Sequence, residues 1–225
     1  MKRVVCVAGV LVLAALAVSG SLSGAGKAGP GKPAMVRVPK GDITVELLFE
    51  DGGRLLVTPK GAPLAAGTHW VKSLSMLKKD KEGRTWELRG VGNLGNAQVI
   101  IVDEGQDKVL DMGTPVGFYA AASQDQAKLE NLNIQFSLSG RYGEGYLPET
   151  FMNGVRQSPA AFQILTPDGK AVFSDRFPAA SGNSASYVWK MPRGLSGKFK
   201  LELKPNLGPF EWSTNAGEFE IKTVP

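Results

Sequence analysis

The run Ile43-Thr44-Val45-Glu46-Leu47-Leu48-Phe49-Glu50-Asp51-Gly52-Gly53-Arg54-Leu55-Leu56-Val57-Thr58 reads as two strands joined by a turn. Ile43, Val45, Leu47 and Phe49 alternate with Thr44, Glu46 and Leu48. That is the two-residue period of a strand with one buried face. Asp51-Gly52-Gly53 supplies the turn. Working outward, Thr68 to Lys78 and Arg84 to Arg89 are predicted strands joined across Asp80-Lys81-Glu82-Gly83. Gln98 to Val102 and Lys108 to Met112 flank a turn around Glu104-Gly105.

The second half alternates more cleanly. Ile134, Phe136 and Leu138 oppose Asn133, Gln135 and Ser137. Phe162 and Ile164 lead through Pro167-Asp168-Gly169 into Ala171 to Phe177. Tyr187 and Trp189, then Phe199, Leu201 and Leu203, then Phe219 and Ile221, each alternate with polar residues. One apolar and one wet face per strand predicts antiparallel sheets. The fold class is all-β, with two antiparallel β-sandwich domains in tandem. Ser123 to Leu129 is the one helix-like stretch, with room for one or two turns.

A boundary near Gly113-Thr114-Pro115 gives domains at 41–115 and 116–225. An internal repeat accompanies it. Pro63-Leu64-Ala65-Ala66-Gly67-Thr68-His69-Trp70-Val71 parallels Pro192-Arg193-Gly194-Leu195-Ser196-Gly197-Lys198-Phe199-Lys200-Leu201. Both run from a proline through a short loop and a glycine into a strand carrying a ring. This phrase resembles the leucine, proline, glycine, x, tyrosine, x, valine corner of prealbumin-like and immunoglobulin-like modules in bacterial secreted proteins. Ala62 to Gly95 likewise resembles uncharacterised secreted bacterial proteins with tandem β-sandwiches. The resemblance implies a fold and no activity, and His69 stands where that corner usually has tyrosine or phenylalanine.

Residues 1–25 read as a signal peptide: Lys2 and Arg3, an apolar run from Val4 to Val18, then small residues. That run is shorter than the roughly 20 residues of a membrane span, so the mature chain is expected to be secreted or periplasmic without one. Residues 26–40, rich in Gly, Pro and Lys, read as a disordered leader. Gly26 to Lys32 imitates a phosphate-binding loop, but Pro33 stands where Ser or Thr should hold magnesium. Without Lys2 and Arg3, 24 bases face 21 acids. So small a surplus is no nucleic-acid signature.

Cys6, the only cysteine, lies in the signal peptide, and His69 is the only histidine of the 225 residues. The mature chain therefore lacks a thiol nucleophile, a disulfide and a multi-histidine metal site. No metal or cofactor is expected. Gly90-Val91-Gly92-Asn93-Leu94-Gly95 satisfies G-x-G-x-x-G, yet β-branched Val99 to Val102 follow where a dinucleotide fold needs a helix. Those glycines read as a turn. His69 reads as a ring packed at a sandwich corner, and Asp103, Glu104, Asp107 and Asp111 as acids of a solvated hairpin.

The segment Gly140-Arg141-Tyr142-Gly143-Glu144-Gly145-Tyr146-Leu147-Pro148 is the leading candidate site. Its glycines oppose regular pairing, so it is expected to project, with Tyr142 and Tyr146 as contact rings and Arg141 and Glu144 as polar partners. Burial of the rings against the core is the competing outcome. Trp212 is a second candidate surface ring. The expected function is a non-catalytic extracytoplasmic binding or structural module that contacts envelope components, glycan or protein. The alternative is a carboxylate-based glycan hydrolase, which needs two acids facing a cleft at about 5 to 9.5 Å.

Overall fold

The computed structural model describes residues 32–39, 41–180 and 182–223. The expected signal peptide and the leader up to residue 31 lie outside the described residues. The chain is all-β, with a 3-10 turn at Gly95–Ala97 and no α-helix among the described residues.

Strand β1 (Ala34–Arg37) falls inside the stretch read as a disordered leader and corrects that reading. Ala34, Val36 and Val38 are buried while Met35 and Arg37 are only partly so, and the strand is held by pairing with residues 62–64 and 108–109. β2 (Ile43–Phe49) and β3 (Arg54–Val57) form the expected hairpin. Gly52 turns it at φ 87°, and the Asp51 carboxylate accepts the Gly53 N–H at 2.9 Å. β4 (Ala62–Leu64) precedes the long β5 (Gly67–Lys79), from which β6 (Thr85–Arg89) returns. Asp80 ties that return, accepting from the backbone of Glu82 and Arg84, the Arg84 guanidinium and the Trp86 indole. β7 (Val99–Val102) and β8 (Lys108–Val109) end the first half.

The second half begins with β9 (Val116–Gln124) and β10 (Asn131–Ser139). The helix expected over Ser123 to Leu129 does not form. Ser123 and Gln124 end β9, and the Asp125 carboxylate accepts the N–H groups of Ala127 and Lys128. Such local side-chain bonding favours a turn over a helix. β11 (Gly145–Tyr146), β12 (Phe151–Met152) and β13 (Val155–Arg156) are short. Asn153 and Gly154 join the last two, both at positive φ, as a two-residue hairpin turn requires. β14 (Ala161–Leu165), β15 (Ala171–Arg176), β16 (Ser184–Lys190), β17 (Gly197–Lys204), β18 (Trp212–Thr214) and β19 (Glu218–Ile221) follow.

These strands build four sheets. One runs β13-β12-β6-β5-β2-β3, with β7 paired to the start of β5, and a small one runs β4-β1-β8. In the third, β10 pairs β9 along one edge and β16 and β11 along the other, and β18 lies parallel to β9. The fourth runs β15-β14-β17-β19. Residues 145–156 return to the first half, because β12 joins β6 and Tyr146 bridges Gly90. The buried faces form a continuous cluster through both halves, from Val45, Leu47 and Met76 to Phe118, Phe136 and Phe162. Each fully buried side chain of this kind contributes about 1.5–3 kcal/mol.

Candidate functional site

The glycine-rich segment after β10 does not project. Gly143 bends it at φ 86°, and its backbone is stitched to the other glycine-rich motif. The Val91 N–H donates to the Gly145 carbonyl at 3.0 Å and the Gly145 N–H to the Asn93 carbonyl at 2.9 Å. The Asn96 N–H donates to the Tyr142 carbonyl at 3.1 Å. A Cβ at position 95 would lie 2.4 Å from the Gly143 carbonyl carbon, and one at position 140 would lie 2.0 Å from a Glu144 carboxylate oxygen. Gly95 therefore serves close backbone approach, Gly140 leaves room for the Glu144 carboxylate, and Gly92 and Gly143 hold turns at positive φ.

Inside this knot the Glu144 side chain is fully buried. Its Oε2 accepts the Tyr142 N–H at 2.8 Å and its Oε1 the Tyr146 hydroxyl at 2.8 Å. Burial pushes the Glu144 pKa above its ordinary value, the hydrogen bonds oppose that, and the nearby Asp111 charge adds to it. The Tyr146 hydroxyl is held well above its usual range by burial and then by Glu144. Tyr146 is fully buried and Tyr142 partly so, the outcome in which the rings cover the core. Arg141 is exposed and pairs with Asp111 at 3.2 Å. Glu144, Tyr142 and Tyr146 are thus brought together, but as an internal brace between the halves.

Trp212 lies apart from them at the edge strand β18. It is 42% exposed, with its ring edge-on to Phe118 at 6.1 Å. The ring of His69 is part-buried against Phe49, with centroids 5.5 Å apart, and its Nε2 lies 2.9 Å from the Ala65 carbonyl. The acids after β7 diverge: Asp107 pairs with Arg37 at 2.6 Å and Asp111 with Arg141. Among the described residues, no three His, Cys, Asp or Glu side chains converge as metal ligands, and no helix is long and apolar enough to cross a membrane.

A groove of about 260 Å³ lies on the outer face of β9, β10 and β16. Pairing places Tyr119, Ser137 and Ser184 in one row across these strands, with Ala121, Gln135 and Ser186 in the next. Asn133 follows, between Ser123 and Val188. Tyr119 is half-exposed and lies along its own strand over Gly117, where a Cβ would come within 2.7 Å of the ring. Lys190 is the sole charged residue in β9, β10, β16 and β18. The other outer faces are strongly charged. β17 and β19 present Lys198, Lys200, Glu202, Lys204, Glu218 and Glu220. The outer face of β2, β5 and β6 carries Glu46, Glu87 and Arg89, with Arg89 3.6 Å above the Phe151 ring. A second groove of about 140 Å³ lies there, holding Glu46 beside Arg54.

The Ile134, Phe136 and Leu138 side of β10 reads as core from the sequence, and the neutral surface lies on its other side. The signal was present, since Asn131, Asn133, Gln135, Ser137 and Ser139 are all neutral. No protein family, curated protein or solved structure matches this chain.

Proposed function

We propose that the protein is an exported, non-catalytic binding module of two β-sandwiches in tandem, and that it binds through the outer face of β9, β10 and β16. The carrying observation is that this face alone among the three broad outer faces is almost free of charge, and that it holds a groove beside an exposed ring. Surfaces are ordinarily covered with mixed charge, as the other two faces are, so a neutral face of this extent needs a reason. The sandwich reading is supported by rings of facing sheets that meet in the core. Phe162 on β14 lies 5.1 Å from Tyr187 on β16, and Phe173 on β15 stacks on Trp189 at 4.6 Å. Binding is preferred to glycan hydrolysis on the two grooves described above, neither of which holds two facing carboxylates. The larger is lined by no acid, and the smaller has Glu46 alone. The buried acids Glu144 and Glu149 are engaged by Tyr146 and by Arg156.

The test is co-sedimentation with the insoluble envelope of the producing cell. The unaltered protein is expected to sediment, while Tyr119→Ala and Gln135→Glu, with unchanged thermal midpoints, remain in solution. Absence of sedimentation by the unaltered protein, or full sedimentation by both variants, refutes the reading.

A further inference from the structure

We infer that the ligand of this face is a neutral polysaccharide chain; the inference rests on the binding-module reading above. Charge supplies the first argument. A polyanion is held by clustered Lys and Arg, and an acidic or basic peptide by the opposite sign. The strands of this face offer Lys190 at one end and no other charge. A ligand matched to such a surface is itself uncharged.

The available hydrogen-bonding groups supply the second. Ser, Asn and Gln side chains both donate and accept, as the hydroxyls of a sugar do. Among the described residues, no intramolecular side-chain hydrogen bond engages Asn133, Gln135, Ser137, Ser184 or Ser186, whereas Asp80, Glu87 and Glu144 on other surfaces and in the core are all engaged. The free groups repeat about every 7 Å along a strand and about 4.8 Å across strands. A polyhydroxylated chain can meet such an array at several points. Tyr119 supplies the third argument. Its exposed ring borders the groove and offers a flat apolar surface to the C–H face of a pyranose, with a polar tip for its hydroxyls. From Asn131 to Ser139 the face is roughly 27 Å long, which suits a chain rather than a single sugar.

The experiment uses envelope polysaccharide, separated on an anion exchanger into neutral and acidic fractions, together with a neutral glucan, mannan and galactan. Binding of the purified protein is read by affinity electrophoresis and calorimetry. Retention by a neutral polymer is expected, unchanged between 50 mM and 500 mM salt because no ion pairs are screened. Tyr119→Ala and Gln135→Glu should each weaken it at least tenfold, and Lys200→Ala on the charged sheet should leave it unaltered. Retention by the acidic fraction only, with affinity falling as salt rises, overturns the ligand class. So does neutral retention that survives both face variants. If the protein sediments with envelope through this face but binds no neutral polymer, and protease treatment of the envelope abolishes sedimentation, the module reading stands and the glycan inference falls. If it self-associates through this face in ultracentrifugation and binds neither envelope nor polymer, both fall.

Discussion

Replacing Tyr146 separates an internal brace from a projecting contact loop. The ring is fully buried, so Tyr146→Ala removes a large aromatic from a close-packed site, a change of about 3–5 kcal/mol. It also deprives the buried Glu144 carboxyl of its hydroxyl partner at 2.8 Å, which adds about 1–3 kcal/mol for a polar group left unpaired. Tyr146→Phe keeps the ring and isolates the second quantity. Domain stabilities are about 5–15 kcal/mol, so the alanine variant should lie near the edge of folding and the phenylalanine variant well within it. Urea unfolding followed by near-ultraviolet dichroism gives the readout. With a slope of about 2 kcal/mol per molar, the midpoint should fall by roughly 2 M or more for Ala and by about 1 M for Phe. Tyr142→Ala, at a partly buried position, should fall below Tyr146→Ala. A Tyr146→Ala loss under about 1 kcal/mol is incompatible with a buried ring and would refute the brace.

Two further predictions concern acids whose surroundings push them in opposite directions. Glu144 has a folded pKa above its unfolded value, so its stabilising contribution is complete below the unfolded pKa and is lost as pH rises through the folded one. Glu144→Gln keeps an oxygen to accept the Tyr142 N–H, and its amide NH2 donates to the Tyr146 hydroxyl where the carboxylate had accepted from it. Its stability relative to the unaltered protein should therefore increase with pH across that window, by at most about 1.4 kcal/mol per pH unit; a difference independent of pH contradicts the account. Asp80 is the converse case: burial opposes its charge, but hydrogen bonds from Trp86 and Arg84 prevail and hold its pKa at about 2. Its contribution is present above the ordinary 3.8 and lost as pH falls through about 2. The stability gap between Asp80→Asn and the unaltered protein should be constant near neutrality and close on acidification, and a gap unchanged down to pH 2 tells against it.

Where alternation was strong, the residues were sufficient. β2 spans Ile43–Phe49 because four apolar and three outward positions leave one register that buries a coherent face. β1 was obscured because Ala34-Met35-Val36-Arg37 directly follows a Gly, Pro and Lys tract, and composition averaged over both reads as unstructured. Its partners Leu64 and Lys108 are distant in sequence. Asn153-Gly154 is a strong hairpin signal, but the strands it joins have two residues each and show no period. In β9 the run Ala120-Ala121-Ala122 weakens the contrast between its faces.

The projection expected of residues 140–148 fails for a different physical reason, one that concerns glycine. A glycine-rich segment is equally what a projecting loop needs and what two backbones need to touch, and its local sequence is the same in both cases. Position 95 touching position 143 is a tertiary fact with no local signature. The neutral face behaves oppositely. Its polar residues were visible along β10, but a neutral strand is ordinary while a neutral sheet is not. Only the pairing of β10 with β9 and β16, each nearly chargeless, extends one strand's composition across a surface. Had the topology placed β17 beside β10 instead, Lys198, Lys200, Glu202 and Lys204 would have interrupted that surface. The binding proposal therefore depends on strand order. Substituting charge at Gln135, the middle of that face, tests it more directly than any change in the glycine knot.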